Sequence, residues 1–163
     1  MVDRENIDGV FAEMTAAALS DFASAEMLAG AECNVNKIVV DIAPAPHRPR
    51  GLPTARMAIY CFFLNGQALK IGIAGPKSGA RYRSQHYNPN SAGSTLAGSI
   101  LKHPSKIGIM TMPASSIGDW IKAHTDRINL LLPASYERAT LLRLESFLHN
   151  RWEPTYEGLV TAD

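Results

Sequence analysis

Ile7, Val10, Phe11, Met14, Ala18 and Phe22 recur at helical spacing inside an alanine-rich stretch. That period predicts a helix over about residues 4 to 30, in one piece or broken near Ser20-Asp21, with Gly30 as its stop. The pattern then changes. Lys37 to Ala43 has the β-branched content and length of a strand, and Pro44, Pro46, Pro49 and Pro53 force an extended, irregular connection after it. Met57 to Leu64 and Gln67 to Ile73 are two apolar runs around Asn65-Gly66, a strong hairpin signal. Further on, Gly75 to Gly79 reads as a turn, Ala80 to Tyr87 as a short helix that ends early, and Asn88 to Gly93 as a polar loop. Ser94 is placed to cap a helix over Thr95 to Lys102. Lys106 to Met112 alternates like a strand, Ser116 to Thr125 like a helix, and Arg127 to Leu132 like a buried strand. Ser135 is placed to cap a last helix, whose stripe of Ala139, Leu142, Leu144, Phe147 and Leu148 runs to about Trp152 before Pro154 ends it. The elements compose a small α/β (α+β) domain with a short mixed or antiparallel sheet flanked by helices.

The hairpin register decides which side chains share a face. A two-residue turn would set Tyr60 opposite Ile71 and leave Lys70 among apolar residues. A three-residue loop with Gly66 left-handed instead pairs Phe63 with Gln67 and Tyr60 with Lys70. The second register is expected. It collects Ile59, Cys61, Phe63, Leu69, Ile71 and Ile73 on one face and Tyr60, Lys70 and Gly72 on the other, keeping the lysine out of the core.

Composition narrows the classes. The chain has 163 residues with a hydrophobic fraction of 46%, ordinary for a globular protein. An N-terminal helix and strand extension over residues 1 to 50 is expected before a core domain over 51 to 163, with the boundary in the proline-rich stretch. No apolar run reaches the roughly 20 residues of a membrane span, and the polar start Met1-Val2-Asp3-Arg4-Glu5 does not resemble a secretion signal, so cytoplasmic residence without membrane contact is expected. Cys33 and Cys61 are far apart and have no metal-ligand spacing, which argues for plain buried thiols.

The net charge of +1 conceals a segregation. Residues 1 to 46 carry eight acidic side chains against Arg4 and Lys37, and residues 107 to 163 carry seven against five basic ones. Residues 47 to 106 carry no acid and nine bases: Arg48, Arg50, Arg56, Lys70, Lys77, Arg81, Arg83, Lys102 and Lys106. Such a stretch is the footprint expected for a polyanionic partner, phosphate above all.

Four residues carry candidate chemistry: Tyr60 in Ala58-Ile59-Tyr60, Lys70 in Lys70-Ile71-Gly72, Arg81 in Arg81-Tyr82-Arg83, and Glu145 in Leu144-Glu145-Ser146. A phenol beside an ammonium can serve as a base, a guanidinium grips phosphate in a planar fork, and a carboxylate is a hard ligand for a divalent cation. In this order and spacing they resemble the GIY-YIG nuclease superfamily, over roughly residues 57 to 158. The chain departs from that pattern at Ala58 for the first glycine, Lys70 for the second tyrosine, Ile73 where a lysine is frequent, Gln85 four residues after the arginine with His86 and Tyr87 beside it, and Glu157 for the closing asparagine.

The resemblance implies a three-stranded sheet with an N-terminal helical addition and metal-assisted hydrolysis of DNA. Tyr60, aided by Lys70, would take a proton from water. Arg81 would neutralise the scissile phosphate, His86 would shuttle a proton or hold an oxygen, and Glu145 would hold Mg²⁺ or Mn²⁺. Arg56, Lys77, Arg83, Gln85 and Tyr87 would bind substrate, expected to be double-stranded DNA. A catalytically weakened nucleic-acid-binding module of the same fold is the competing expectation. A homodimer, or a protein partner docked through the acidic N-terminal helix, also stays open. His47, His103, His124 and His149 share no ligand spacing and receive no role, and Trp120 and Trp152 are expected to be core or helix anchors.

Overall fold

The computed structural model describes residues 6–156; Glu157 lies outside them. A four-stranded, wholly antiparallel sheet is packed between two helical layers. Helix α1 (Ile7–Leu28) runs unbroken through Ser20-Asp21, where neither glycine nor proline interrupts it, and buries Phe11, Ala18, Leu19 and Phe22. Strand β1 (Val39–Ala43) follows, and after the proline-rich connection come β2 (Arg56–Leu64) and β3 (Gln67–Ala74). Helices α2 (Gly79–Arg83), α3 (Leu96–Lys102) and α4 (Ile117–His124) precede β4 (Asp126–Pro133), and α5 (Arg138–Trp152) is the last element among the described residues.

The strand order is β1-β4-β2-β3, which makes four strands rather than the expected three. The additional strand is β1, paired along its length with β4 from Val39↔Leu131 to Ala43↔Arg127. The N-terminal segment thus supplies a strand of the sheet as well as a helix. On one face, α1 and α5 cover Ile59, Cys61, Phe63, Ala68, Ile71, Ile128, Leu130 and Leu132. On the other, α2, α3 and α4 cover Ala58, Tyr60, Phe62, Leu69, Ala74 and Leu131. The acidic helix α1 therefore packs on the face opposite Tyr60.

The hairpin corrects the expected register. Asn65 and Gly66 both have positive φ, 50° and 83°, forming a two-residue turn whose twist matches that of the strands. Leu64 pairs with Gln67 and Phe63 with Ala68, after which Phe62 pairs with Lys70, so Leu69 is an extra residue in β3. The irregularity lies inside the strand instead of in the loop. Tyr60 consequently faces Gly72, not Lys70, although Tyr60, Lys70 and Gly72 still share a face. Leu69 changes sides and joins the core beneath α3 and α4.

Four smaller expectations also yield. Lys106 to Met112 is not a strand: Pro104–Ile107 is a turn of 3-10 helix ended by Gly108 at φ 72°. Its alternation arises because Ile107, Ile109 and Met112 pack against the core without joining a ladder. The segment Ala80 to Tyr87 divides into α2 and a 3-10 turn over Gln85–Tyr87. Thr95, not Ser94, caps α3, accepting a hydrogen bond from the Gly98 amide at 2.9 Å. Ser135 sits in a turn closed by the Tyr136 amide on the Pro133 carbonyl, and α5 starts after Glu137 without a side-chain cap.

Candidate active site

Tyr60 stands in central strand β2 with its ring lying across β3. A Cβ at Gly72 would come within 2.6 Å of the Tyr60 hydroxyl, so only glycine leaves room for the ring there. Residues from two other segments meet that hydroxyl. Arg81 of α2 donates from Nε to the Tyr60 oxygen at 3.1 Å, and His86, from the turn after α2, contacts it through Nε2 at 2.6 Å. The Leu96 amide donates to His86 Nδ1 at 3.2 Å. A neutral imidazole accepting there carries its proton on Nε2, so His86 donates to Tyr60. Burial, then the Lys70, Arg81 and Arg127 charges, push the His86 pKa down to about 3, which keeps the ring neutral. His86 is thus a positioning donor whose ring nitrogens are both engaged. Among the described residues, the terminal nitrogens of Arg81 make no hydrogen bond.

Beneath this cluster lies Arg127, a residue sequence reasoning passed over. Its guanidinium is buried 4.6 Å from the Tyr82 ring centroid, 5.2 Å from Phe62 and 5.4 Å from Tyr60. It donates to Asn129 Oδ1 at 2.8 Å, to the Tyr87 hydroxyl at 3.0 Å and to the Tyr82 carbonyl at 2.6 Å. The network continues outward. His47 Nδ1 meets the Thr125 carbonyl, which can only accept, so His47 Nε2 accepts from the Tyr87 hydroxyl at 2.7 Å. Burial lowers the His47 pKa and raises that of Tyr87, in keeping with a neutral pair. A signal for this network was present: Arg127 and Asn129 sit two apart, hence on one face, in a strand that after Asp126 is otherwise apolar.

The other expected site residues scatter. Lys70 is 2% exposed and reaches Ser94 Oγ at 3.1 Å. Tyr87 belongs to the Arg127 network. Arg56 donates to the Lys37 and Leu131 carbonyls, fastening the end of the sheet. Lys77 and Arg83 are exposed, while Gln85 is half-buried and accepts on its carbonyl from Ser91 Oγ at 2.7 Å.

Glu145 comes from the opposite helical layer. Half-buried on α5, it lies 3.9 Å from His149 one turn later. His149 lines a cleft of about 940 Å³ between α3 with the following turn and the C-terminal part of α5. The Thr155 and Tyr156 amides donate to the Ala68 and Leu69 carbonyls, binding the segment after α5 to edge strand β3 beside this cleft. No group of three His, Cys, Asp or Glu side chains suited to a metal occurs among the described residues. Among the described residues a cation could rest on a single carboxylate only, as Mg²⁺ does where water and substrate phosphate fill its other positions. Glu145 is the carboxylate to which the resemblance assigns the cation.

No protein-family model, no curated protein and no solved structure matches this chain.

Proposed function

We propose that this protein is a GIY-YIG-type phosphodiesterase that engages and cleaves nucleic acid, with double-stranded DNA as the expected substrate. The observation that supports this most is the convergence of Arg81 and His86 on the Tyr60 oxygen, from segments that chain order keeps apart. Arg81 spends one N–H on Tyr60 and offers its two terminal nitrogens to a phosphate in fork geometry. His86 fixes the hydroxyl. To act as the base, Tyr60 first gives up its own proton to solvent; the phenolate, still held by His86, then takes a proton from the attacking water once Arg81 has moved off it. Tyr60 has no exposed surface, so Arg81 must swing from the phenol onto the phosphate to admit that water. Glu145, which the resemblance assigns to a divalent cation that would offset charge on the leaving oxygen, stands in the helical layer across the sheet from Tyr60.

A second reading has its own support. Tyr60 is wholly buried, and Lys70 and His86 are each 2% exposed, a sealed arrangement that suits a binding module with weakened catalysis. Incubation with plasmid and short DNA, with Mg²⁺ or Mn²⁺ and beside Arg81→Ala and Glu145→Ala, separates the two. Nicking that falls at least a hundredfold in both variants is expected. Cleavage indifferent to both substitutions would sink the nuclease proposal, and salt-sensitive binding without cutting would establish the second reading in its place.

A further inference from the structure

The cleft beside β3 is lined by lysine and histidine side chains, and none of them belongs to the Tyr60 cluster. Lys102, His103 and Lys106 line one side and His149 the other, with Glu153 the one carboxylate residue among the described residues of the lining. The lysines and His103 are exposed. Tyr156 also lines the cleft, its hydroxyl donating to the His103 carbonyl at 2.9 Å and its ring 6.0 Å from Lys106 Nζ. Its ring is thereby held in place beside a cation. Ser94, which Lys70 contacts, also lines the cleft and links it to the interior of the candidate site.

We infer that this cleft seats an unpaired nucleic-acid strand, its phosphates on Lys102 and Lys106 and a base against Tyr156. Positive groups along a groove and an aromatic face within it are the two parts of single-strand recognition. Shape makes the choice between strand and duplex. A duplex carries its phosphates on a convex surface, whereas a hollow of about 940 Å³ takes a few flexible nucleotides between its walls. The inference rests on the nucleic-acid reading above and sharpens it: the substrate has an unpaired flank next to the phosphate on Arg81.

Fluorescence anisotropy with short labelled oligo-dT and a blunt duplex of equal length, across a salt series, tests this. Wild-type protein is expected to bind the single strand at least fivefold more tightly. Lys102→Ala/Lys106→Ala should weaken that binding tenfold or more and reduce the slope of log K against log salt by about 1.4, two phosphate contacts on a single strand. Tyr156→Leu should weaken binding without changing the slope, and circular dichroism checks that each variant is folded. Preference for the duplex, or an affinity and salt slope unmoved by the double substitution, would overturn the inference. If Arg81→Ala alone weakens binding, the cleft assignment fails and the proposed function survives. If the double variant weakens binding while Arg81→Ala neither binds nor cuts differently from wild type, the cleft stands and the proposed function fails.

Discussion

The two faces of the sheet are built on opposite principles. Beneath α1 and α5 the contacts are almost wholly apolar, with Phe63 tilted against Phe11 at 5.1 Å and edge-on to Trp152 at 5.6 Å. Beneath α2 to α4 the sheet buries a guanidinium, two imidazoles and an ammonium among aromatic rings. The first face gains stability from area removed from water, which any well-packed apolar set supplies. The second must satisfy every polar group it buries, so it tolerates few arrangements. Stability is concentrated in one and positional accuracy in the other, and the candidate chemistry lies where the accuracy is.

The comparison breaks most visibly at the centre of each face. Phe63→Ala should cost about 3–5 kcal/mol through a cavity, read as a fall in the urea midpoint. Arg127→Met should cost about 2–4 kcal/mol although it fills much of the same volume, because it strands the Asn129, Tyr87 and Tyr82 acceptors. A change below 1 kcal/mol for Arg127→Met would show that the polar face is not held by its hydrogen bonds.

The polar face also makes stability depend on pH. Native His86 takes up a proton only near pH 3, whereas the unfolded imidazole does so near 6.5. Between those values the unfolded state binds more protons, so stability falls as pH falls, by roughly 1.4 kcal/mol per pH unit for this group. His47, with its pKa also lowered, adds to the loss in the same direction. His86→Gln should flatten the dependence of unfolding free energy measured from pH 7 to 5; an unchanged slope would remove His86 as its source.

Gly72→Ala is expected to cost about 1–3 kcal/mol by overpacking, and to disturb Tyr60 first, visible as a changed tyrosine environment in near-ultraviolet circular dichroism. Smallest of all is Glu145→Gln. Its partly exposed contact with His149, at 3.9 Å, contributes under about 1 kcal/mol, so thermal unfolding should hardly move. A large destabilisation would make Glu145 a structural residue and weaken its claim to chemistry.

Much of the fold was legible in the pattern of residues. The period of Phe11, Ala18 and Phe22 marks α1, Asn65-Gly66 marks the hairpin, and the apolar run from Ile128 to Leu132 marks a buried strand, since each reports a local preference. Ser94 and Ser135 failed as caps because several neighbouring residues could serve, and tertiary packing chose where each helix begins. Lys106 to Met112 failed because alternation records which side chains are buried, not whether the backbone finds a ladder. At the candidate site, Tyr60, Arg81 and His86 were picked out by order and spacing, yet their meeting at one oxygen was not visible in either. Lys102, Lys106 and Tyr156 belong to a cleft whose walls are about fifty residues apart in the chain, and no local pattern joins them.

By itself, then, the sequence determined most of the elements, the Asn65-Gly66 hairpin, and the concentration of positive charge between residues 47 and 106. These follow from side-chain period and composition, which act over a few residues. Only the tertiary structure decided that β1 would complete the sheet, that Leu69 would be the extra residue which moves Tyr60 opposite Gly72, and that Arg127 would be buried beneath the Tyr60 ring. Those outcomes depend on which surfaces can close on one another and which buried polar groups find partners, and that is settled by contacts between distant parts of the chain.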